Sequence, residues 1–311
     1  MDCILLADIG GTNSRFAVAG AYGRPEQIVI IENNSVASLE MAIETYLART
    51  GLRPRAAVLA VAAPTDGGEE VVLTNRRWRF RCSELALRFG FSSLRVLNDF
   101  EAIAWALLRL SAGDARPLGK SLSPCDGVKV VLGPGTGLGV AALVPVGKHW
   151  HVVASEGGHA SFGPQAPDER EIFARLVAAH GRVSAETILS GPGLLRLLRA
   201  IDPQTACETP EAVAAAALGR EASAQAAARL FVRLLGRFAG GLALTFKATG
   251  GVYVAGGVAS RLGPLLDEEL FRTAFEAHPP YERLLSTIPT LLMNRTEPGL
   301  LGCAALAAEM I

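Results

Sequence analysis

Two hydrophobic patterns alternate along the chain. Apolar runs at 3–7, 56–62, 128–132, where Lys129 is the one break, and 251–255 have the length and composition of buried strands, and 14–20, 26–31, 94–97, 140–144, 149–154 and 288–293 extend the set. Elsewhere apolar residues recur at spacings of three and four, predicting helices over 38–50, 81–89, 100–108, 169–180, 211–219, 221–248, 264–277 and 299–309. Leu39, Ile43 and Leu47 carry the repeat in one of these, and Phe100, Ile103, Ala104, Leu107 and Leu108 in another. Gly236, Gly240 and Gly241 are costly in an isolated helix, so close packing is expected along that stretch. Strands alternating with helices place the chain in the α/β class.

The connections carry a second pattern. A strand runs into Asp8-Ile9-Gly10-Gly11-Thr12-Asn13, and another strand follows directly. The same plan returns at Gly133-Pro134-Gly135-Thr136-Gly137-Leu138-Gly139. Between the two, 111–127 is rich in Gly, Pro and Ser and breaks the periodicity. The echo predicts duplicated domains facing each other across a cleft: 1–110 with 299–311 as a small domain, and 111–298 as a large one. Glycine turns bring backbone N–H groups close to an anion, and a facing pair is shaped to hold a polyphosphate. Neither turn is a Walker loop, which needs Gly-Lys-Ser/Thr, nor a dinucleotide fingerprint, which leads into a helix.

Several polar residues stand out against this frame. Asp8 beside a phosphate would repel it unless a cation intervened, so Asp8 points to Mg²⁺ held through water, or else to an ordinary hairpin turn. Asn98-Asp99 lies at the carboxyl end of a strand and the start of a helix, where open α/β sheets bind ligands and where Asn and Asp also serve as helix caps. Glu156 and His159 lie on the loop Ser155-Glu156-Gly157-Gly158-His159. They suit a metal, vicinal hydroxyls, or nothing beyond a turn. Glu186 taken alone is a solvated helix residue. Gly256-Gly257 either admits a flat ring such as adenine against bare backbone or makes a common α/β connection. The stretch 73–78, Leu-Thr-Asn-Arg-Arg-Trp, reads as a surface loop with the polarity to wall a ligand pocket.

Composition narrows the classes. With 311 residues, 50% hydrophobic and 19% charged, the chain can bury two cores and is not disordered. A formal net charge of +0 argues against nucleic acid as a partner. Five scattered cysteines without a C-x-x-C suit a reducing cytoplasm, and neither a signal peptide nor a membrane span is evident.

Together, 8–13, 97–100, 133–139, 156–159, 189–193, 254–257 and 298–302 resemble, in order, the bacterial ATP-dependent glucokinases. The resemblance covers essentially the whole chain. It implies two actin-like ATPase (ribonuclease H-like) domains flanking a central cleft, and transfer of phosphate from ATP to glucose. By position, Asp99 would be the catalytic base, and Asn98, Asp99, Glu156, His159 and Glu186 would hold the sugar. Ala7, Asp8, Ile9, Gly10, Gly11 and Thr12 would form the first phosphate loop, Thr136 and Gly137 would belong to the second, and Gly256 and Gly257 would line the adenosine side. A homodimer is implied as well. Ala7 stands where relatives often have Gly, and Pro134 removes one backbone donor from the second loop. The Cys-rich zinc motif of the neighbouring ROK sugar kinases does not follow His159, so no zinc is expected. A kinase for another hexose or an N-acylamino sugar is the enzymatic alternative. A ROK-type regulator would need a DNA-binding domain ahead of a first turn that begins within ten residues of Met1. A non-catalytic sugar sensor sits poorly with Asp99.

Overall fold

The computed structural model describes residues 3–63, 67–74, 76–295 and 297–310. Pro64, which the sequence offers as the stop of the strand expected over 56–62, and Asn75, in the stretch read above as a loop, lie outside them. The chain divides into two compact units, Met1–Ser111 with Arg295–Ile311, and Ala112–Asn294.

In the first unit, β1 (Ile4–Ile9), β2 (Asn13–Ala19), β3 (Pro25–Glu32), β4 (Ala56–Val61) and a later strand, Ser93–Asn98, form one sheet. A separate hairpin joins β5 (Glu70–Val72) to β6 (Arg79–Arg81), so Ser93–Asn98 is β7. Sequence patterning missed this hairpin because each strand has three residues, too few to show a period of two. The main sheet runs β3-β2-β1-β4-β7. β1, β2 and β3 pair antiparallel, whereas β1, β4 and β7 are parallel. β1 and β4 are buried almost throughout, as parallel strands covered on both faces must be.

One face carries Leu39, Ile43 and Tyr46 of the helix Leu39–Thr50. The C-terminal helix Pro298–Glu309 packs on β1, where the Cys303 thiol donates to the Ala7 carbonyl at 3.5 Å. It also lies against the helix Asp99–Ala106 so closely that a Cβ at Gly302 would overlap the Ala102 carbonyl.

The second unit repeats the plan. β8 (Ala115–Pro117), β9 (Lys129–Pro134), β10 (Leu138–Val146), β11 (His149–Ser155), β12 (Gly251–Val254) and β13 (Thr290–Met293) are ordered β11-β10-β9-β12-β13-β8. Again three antiparallel strands are followed by parallel neighbours of the first, with β8 added as an antiparallel edge. β8 falls within the stretch read as irregular.

The helix Ala222–Phe246 spans the core of this unit. The helix Glu268–Glu276 packs on it where Gly236 and Gly240 approach the carbonyls of Phe271 and Phe275. The helix expected over 264–277 is instead a 3₁₀ turn at Gly263–Leu265 and the helix Glu268–Glu276, with a short helix, Gly257–Leu262, before them. Gly263 at φ +46° and the Asp267 cap, whose carboxylate accepts from Leu270 N–H at 2.9 Å, divide them. The helix Gly191–Ile201 is also new, because its Gly-Pro-Gly opening reads as a turn.

Two glycine substitutions should separate close packing from helix propensity. Gly302→Val is expected to lower stability by about 3 kcal/mol and the Tm by roughly 10 °C. Gly241, whose Cβ would meet nothing within 4 Å, should gain about 0.5–1 kcal/mol as Ala. Thermal melts of the two variants check both.

Candidate active site

Strand register places the polar residues. Across the first sheet Ile9 pairs with Val61 and Val61 with Asn98, so β1, β4 and β7 end in one row. The 10–13 turn and Asp99 therefore leave the sheet from the same edge. In the second unit Leu132 pairs with Val254, which brings the 133–137 turn and Gly256-Gly257 to one edge of that sheet. Gly256 has φ +88°, and a Cβ there would crowd the Pro134 carbonyl, so glycine is required where β12 passes the second turn.

Within the first turn, the side chains of Ala7 and Ile9 face the core, and Thr12 is exposed. Residues 9–11 therefore offer a ligand only their backbone. Asn33, on a 3₁₀ turn after β3, is fully buried beneath the turn. Its Nδ2 donates to the Gly10 carbonyl at 2.8 Å and the Gly11 carbonyl at 3.3 Å, and its Oδ1 accepts from Ser14 Oγ at 2.6 Å. Arg76, from the loop beyond β5, donates to the Gly11 carbonyl at 3.0 Å. Sequence reasoning missed Asn33 and saw Arg76 only as part of the polar stretch 73–78, since both act on backbone oxygens far along the chain.

Asn98 and Asp99 divide the roles left open above. Asn98 is the helix cap: its Oδ1 accepts from Phe100 N–H at 2.8 Å, and Glu101 accepts from the Asn98 N–H at 3.2 Å, closing a capping box. The Asn98 amide also donates to the Ala63 carbonyl at 3.0 Å. Asp99 is the first helical residue, half-buried, with Oδ1 accepting from Phe100 N–H at 2.9 Å.

Asp8 stands near Asp99. Desolvation pushes its pKa from 3.8 up to about 6, Arg15 opposes the rise, and the negative charges of Asp99 and Glu297 add to it. Gly299 leaves room for the Asp8 carboxylate at the start of the C-terminal helix; a Cβ there would crowd it. Among the described residues no group of three or more His, Cys, Asp or Glu could hold a metal. A single carboxylate made proton-hungry by burial, and further by neighbouring acids, nonetheless fits Mg²⁺, which keeps several waters and takes phosphate oxygens as ligands.

In the second unit, Glu156, His159 and Glu186 come together. His159 Nε2 lies 4.0 Å from Glu156 Oε2 and 3.9 Å from Glu186 Oε1. Gly158 permits this, since a Cβ there would overlap the Leu138 carbonyl. Glu186 sits in the first turn of the helix Ala185–Ile188, and its Oε2 accepts from Leu138 N–H at 2.8 Å. It is thus tied to the second turn rather than only solvated.

Beside that turn opens a cavity of about 450 Å³, lined by Thr136, Pro192, Pro210, Ala214, Leu218 and Val258 among others. Its apolar walls and size suit a flat heterocycle. The sequence identified Thr136 and the adjacent Gly256-Gly257, but not the walls, which come from three helices remote in sequence.

The family model for glucokinase matches residues 5–310. The chain belongs to the glucokinase family. A glucokinase of Chelativorans sp. (strain BNC1) is 42% identical, with 98% of this chain and 91% of that protein aligned. A crystal structure of a glucokinase from an Antarctic psychrotroph superposes with a TM-score of 0.92 at 32% identity, covering 99% of both chains. At 20% identity, a ROK hexokinase from Thermus thermophilus shares the fold, with a TM-score of 0.70 over 98% of this chain and 97% of that one. Both units have the actin-like ATPase fold. No helix of the described residues is long and apolar enough to cross a membrane.

Asp8 makes stability depend on pH with a defined sign. Its folded pKa of about 6 exceeds the reference 3.8, so the native state binds the extra proton between these values. Stability should fall as pH rises through that window, by at most about 3 kcal/mol from this residue. Asp8→Asn should therefore raise the Tm at pH 7.5 and leave it nearly unchanged at pH 3.5, as read by thermal melts across pH.

Proposed function

We propose that this member of the family transfers the γ-phosphoryl group of ATP to the 6-hydroxyl of D-glucose, giving glucose 6-phosphate and ADP. The observation that carries the reading is the family match over residues 5–310. The polar residues found at the strand ends supply parts that such a reaction needs.

Phosphoryl transfer asks a protein mainly for positioning and charge neutralisation. Asp99 is assigned as the base that accepts the proton of the sugar hydroxyl as the bond to phosphorus forms. It is suited to this because it is a half-buried carboxylate at the strand ends, and Asn98 shares with it the Phe100 N–H at the helix start. Glu156, His159 and Glu186, with Asn98, are assigned to the sugar hydroxyls. A trio of two acceptors and one imidazole can accept from some hydroxyls and donate to another. A site built this way disfavours analogues that lack a hydroxyl, since its own polar groups are then left unpaired.

The backbone of the 8–12 turn and the turn holding Thr136 and Gly137 are assigned to the ATP phosphates. The cavity near Gly256-Gly257 is assigned to the adenine. Asp8 would hold Mg²⁺ through water, and the ion when bound would offset the negative charge of the phosphates. A homodimer acting in the cytoplasm completes the proposal, and light scattering tests the dimer.

Asp99→Asn should lower kcat by about 10²- to 10⁴-fold with a Tm within roughly 1 °C of the parent. Near-parental turnover in a coupled assay would return Asp99 to a structural role. Turnover of glucose, mannose, fructose and N-acetylmannosamine side by side should favour glucose; indifference to it would replace glucose with another sugar of that panel.

A further inference from the structure

The first turn owes its shape to what lies beneath it. In a trans peptide the C=O and the following N–H point in opposite directions. The Gly10 carbonyl points at Asn33 Nδ2, so the Gly11 N–H is directed away from Asn33. The Gly11 carbonyl accepts from both Asn33 Nδ2 and Arg76 Nη1, so the Thr12 N–H is turned the same way. Among the described residues neither N–H donates to another group of the protein. Two consecutive N–H groups aimed outward are the elements of an anion-binding nest.

The aiming groups are themselves locked. Asn33 is 0% exposed, and the Ser14 hydroxyl on its Oδ1 sets the amide so that Nδ2 faces the turn. Arg76 spreads its fork over the Gly11 carbonyl, the Asn33 carbonyl at 3.1 Å and Asn34 Oδ1 at 3.2 Å from each terminal nitrogen. Its guanidinium lies over the buried Trp78 ring, 4.7 Å from the centroid. All of these acceptors are neutral oxygens, so they leave the positive charge beside the turn uncompensated.

We propose that Asn33 and Arg76 are positioning residues of the phosphate site: through the Gly10 and Gly11 carbonyls they hold the Gly11 and Thr12 N–H groups toward the ATP phosphates. The inference rests on the assignment of the 8–12 turn to phosphate. Neither residue takes part in the chemistry, and their effect belongs to the binding of phosphate rather than of adenosine or sugar.

The test uses the full-length protein with Arg76→Ala, Arg76→Lys, Asn33→Asp and Thr12→Pro, the last deleting one of the aimed donors. ATP and adenosine affinities are measured by calorimetry, and KM is measured separately for ATP and glucose. Arg76→Ala should weaken ATP roughly tenfold, the size of one charged hydrogen bond, while adenosine affinity, KM for glucose and Tm stay near parental values. Arg76→Lys should not rescue, because an ammonium keeps the charge but not the planar fork. Asn33→Asp places an acceptor against two carbonyls and should weaken ATP at least as much; if it fails to fold, Arg76→Ala still decides. Parental ATP affinity in Arg76→Ala, or full rescue by Lys, would overturn the proposal. If Thr12→Pro weakens ATP while the Arg76 and Asn33 variants do not, the turn binds phosphate without these residues. If Thr12→Pro is also silent, the phosphate assignment of the turn falls together with the proposal.

Discussion

The parallel pairing of β1 with β4 and of β4 with β7 is the constraint on which the first unit depends. Each strand rises by a fixed amount per residue, so one register decides which residues emerge together at the sheet's end. Here it ends the strands at Ile9, Val61 and Asn98 in one row. A slip by one residue would turn Asp8 into the core and Ile9 out of it. The buried side chains of Leu5, Ala7, Ile9, Leu59 and Val61 resist such a slip, so the core fixes the position of the polar edge.

That edge collects negative charge. Asp99 and Glu297 both act on Asp8, and Arg15, ion-paired to Glu297 at 3.2 Å, opposes them. Acids so gathered are costly to a resting protein and useful to one that receives a cation with its substrate, because the ion reverses the local preference for a proton. The glycine at 299 belongs to the same compromise. It lets the first turn of the C-terminal helix, the positive end of its dipole, come up to the Asp8 carboxylate.

Much of this was legible in the sequence. The long runs became strands within a residue or two, and the echo of two glycine turns became two sheets of the same order, because both signals are local and repeated. What escaped was short or distributed. The strands Glu70–Val72 and Arg79–Arg81 are too brief to show a period, and the opening of Gly191–Ile201 reads as a turn although Ser190 caps it as a helix. At the site, residues named by motif were visible, whereas Asn33 and Arg76 reach the turn only through its main-chain oxygens and leave no motif. The separate duties of Asn98 and Asp99 likewise needed hydrogen bonds, since either residue type makes a good cap.

Glu186 binds two things at once. One carboxylate oxygen receives the Leu138 N–H at the end of the second glycine turn, and the other faces His159 at 3.9 Å. Gly137 makes room for the carboxylate, since a Cβ there would crowd its Oε2. Its two oxygens therefore join the backbone of the second glycine turn to the face that carries His159. A single side chain thus belongs to both neighbourhoods of the second unit, and its loss would be felt in both.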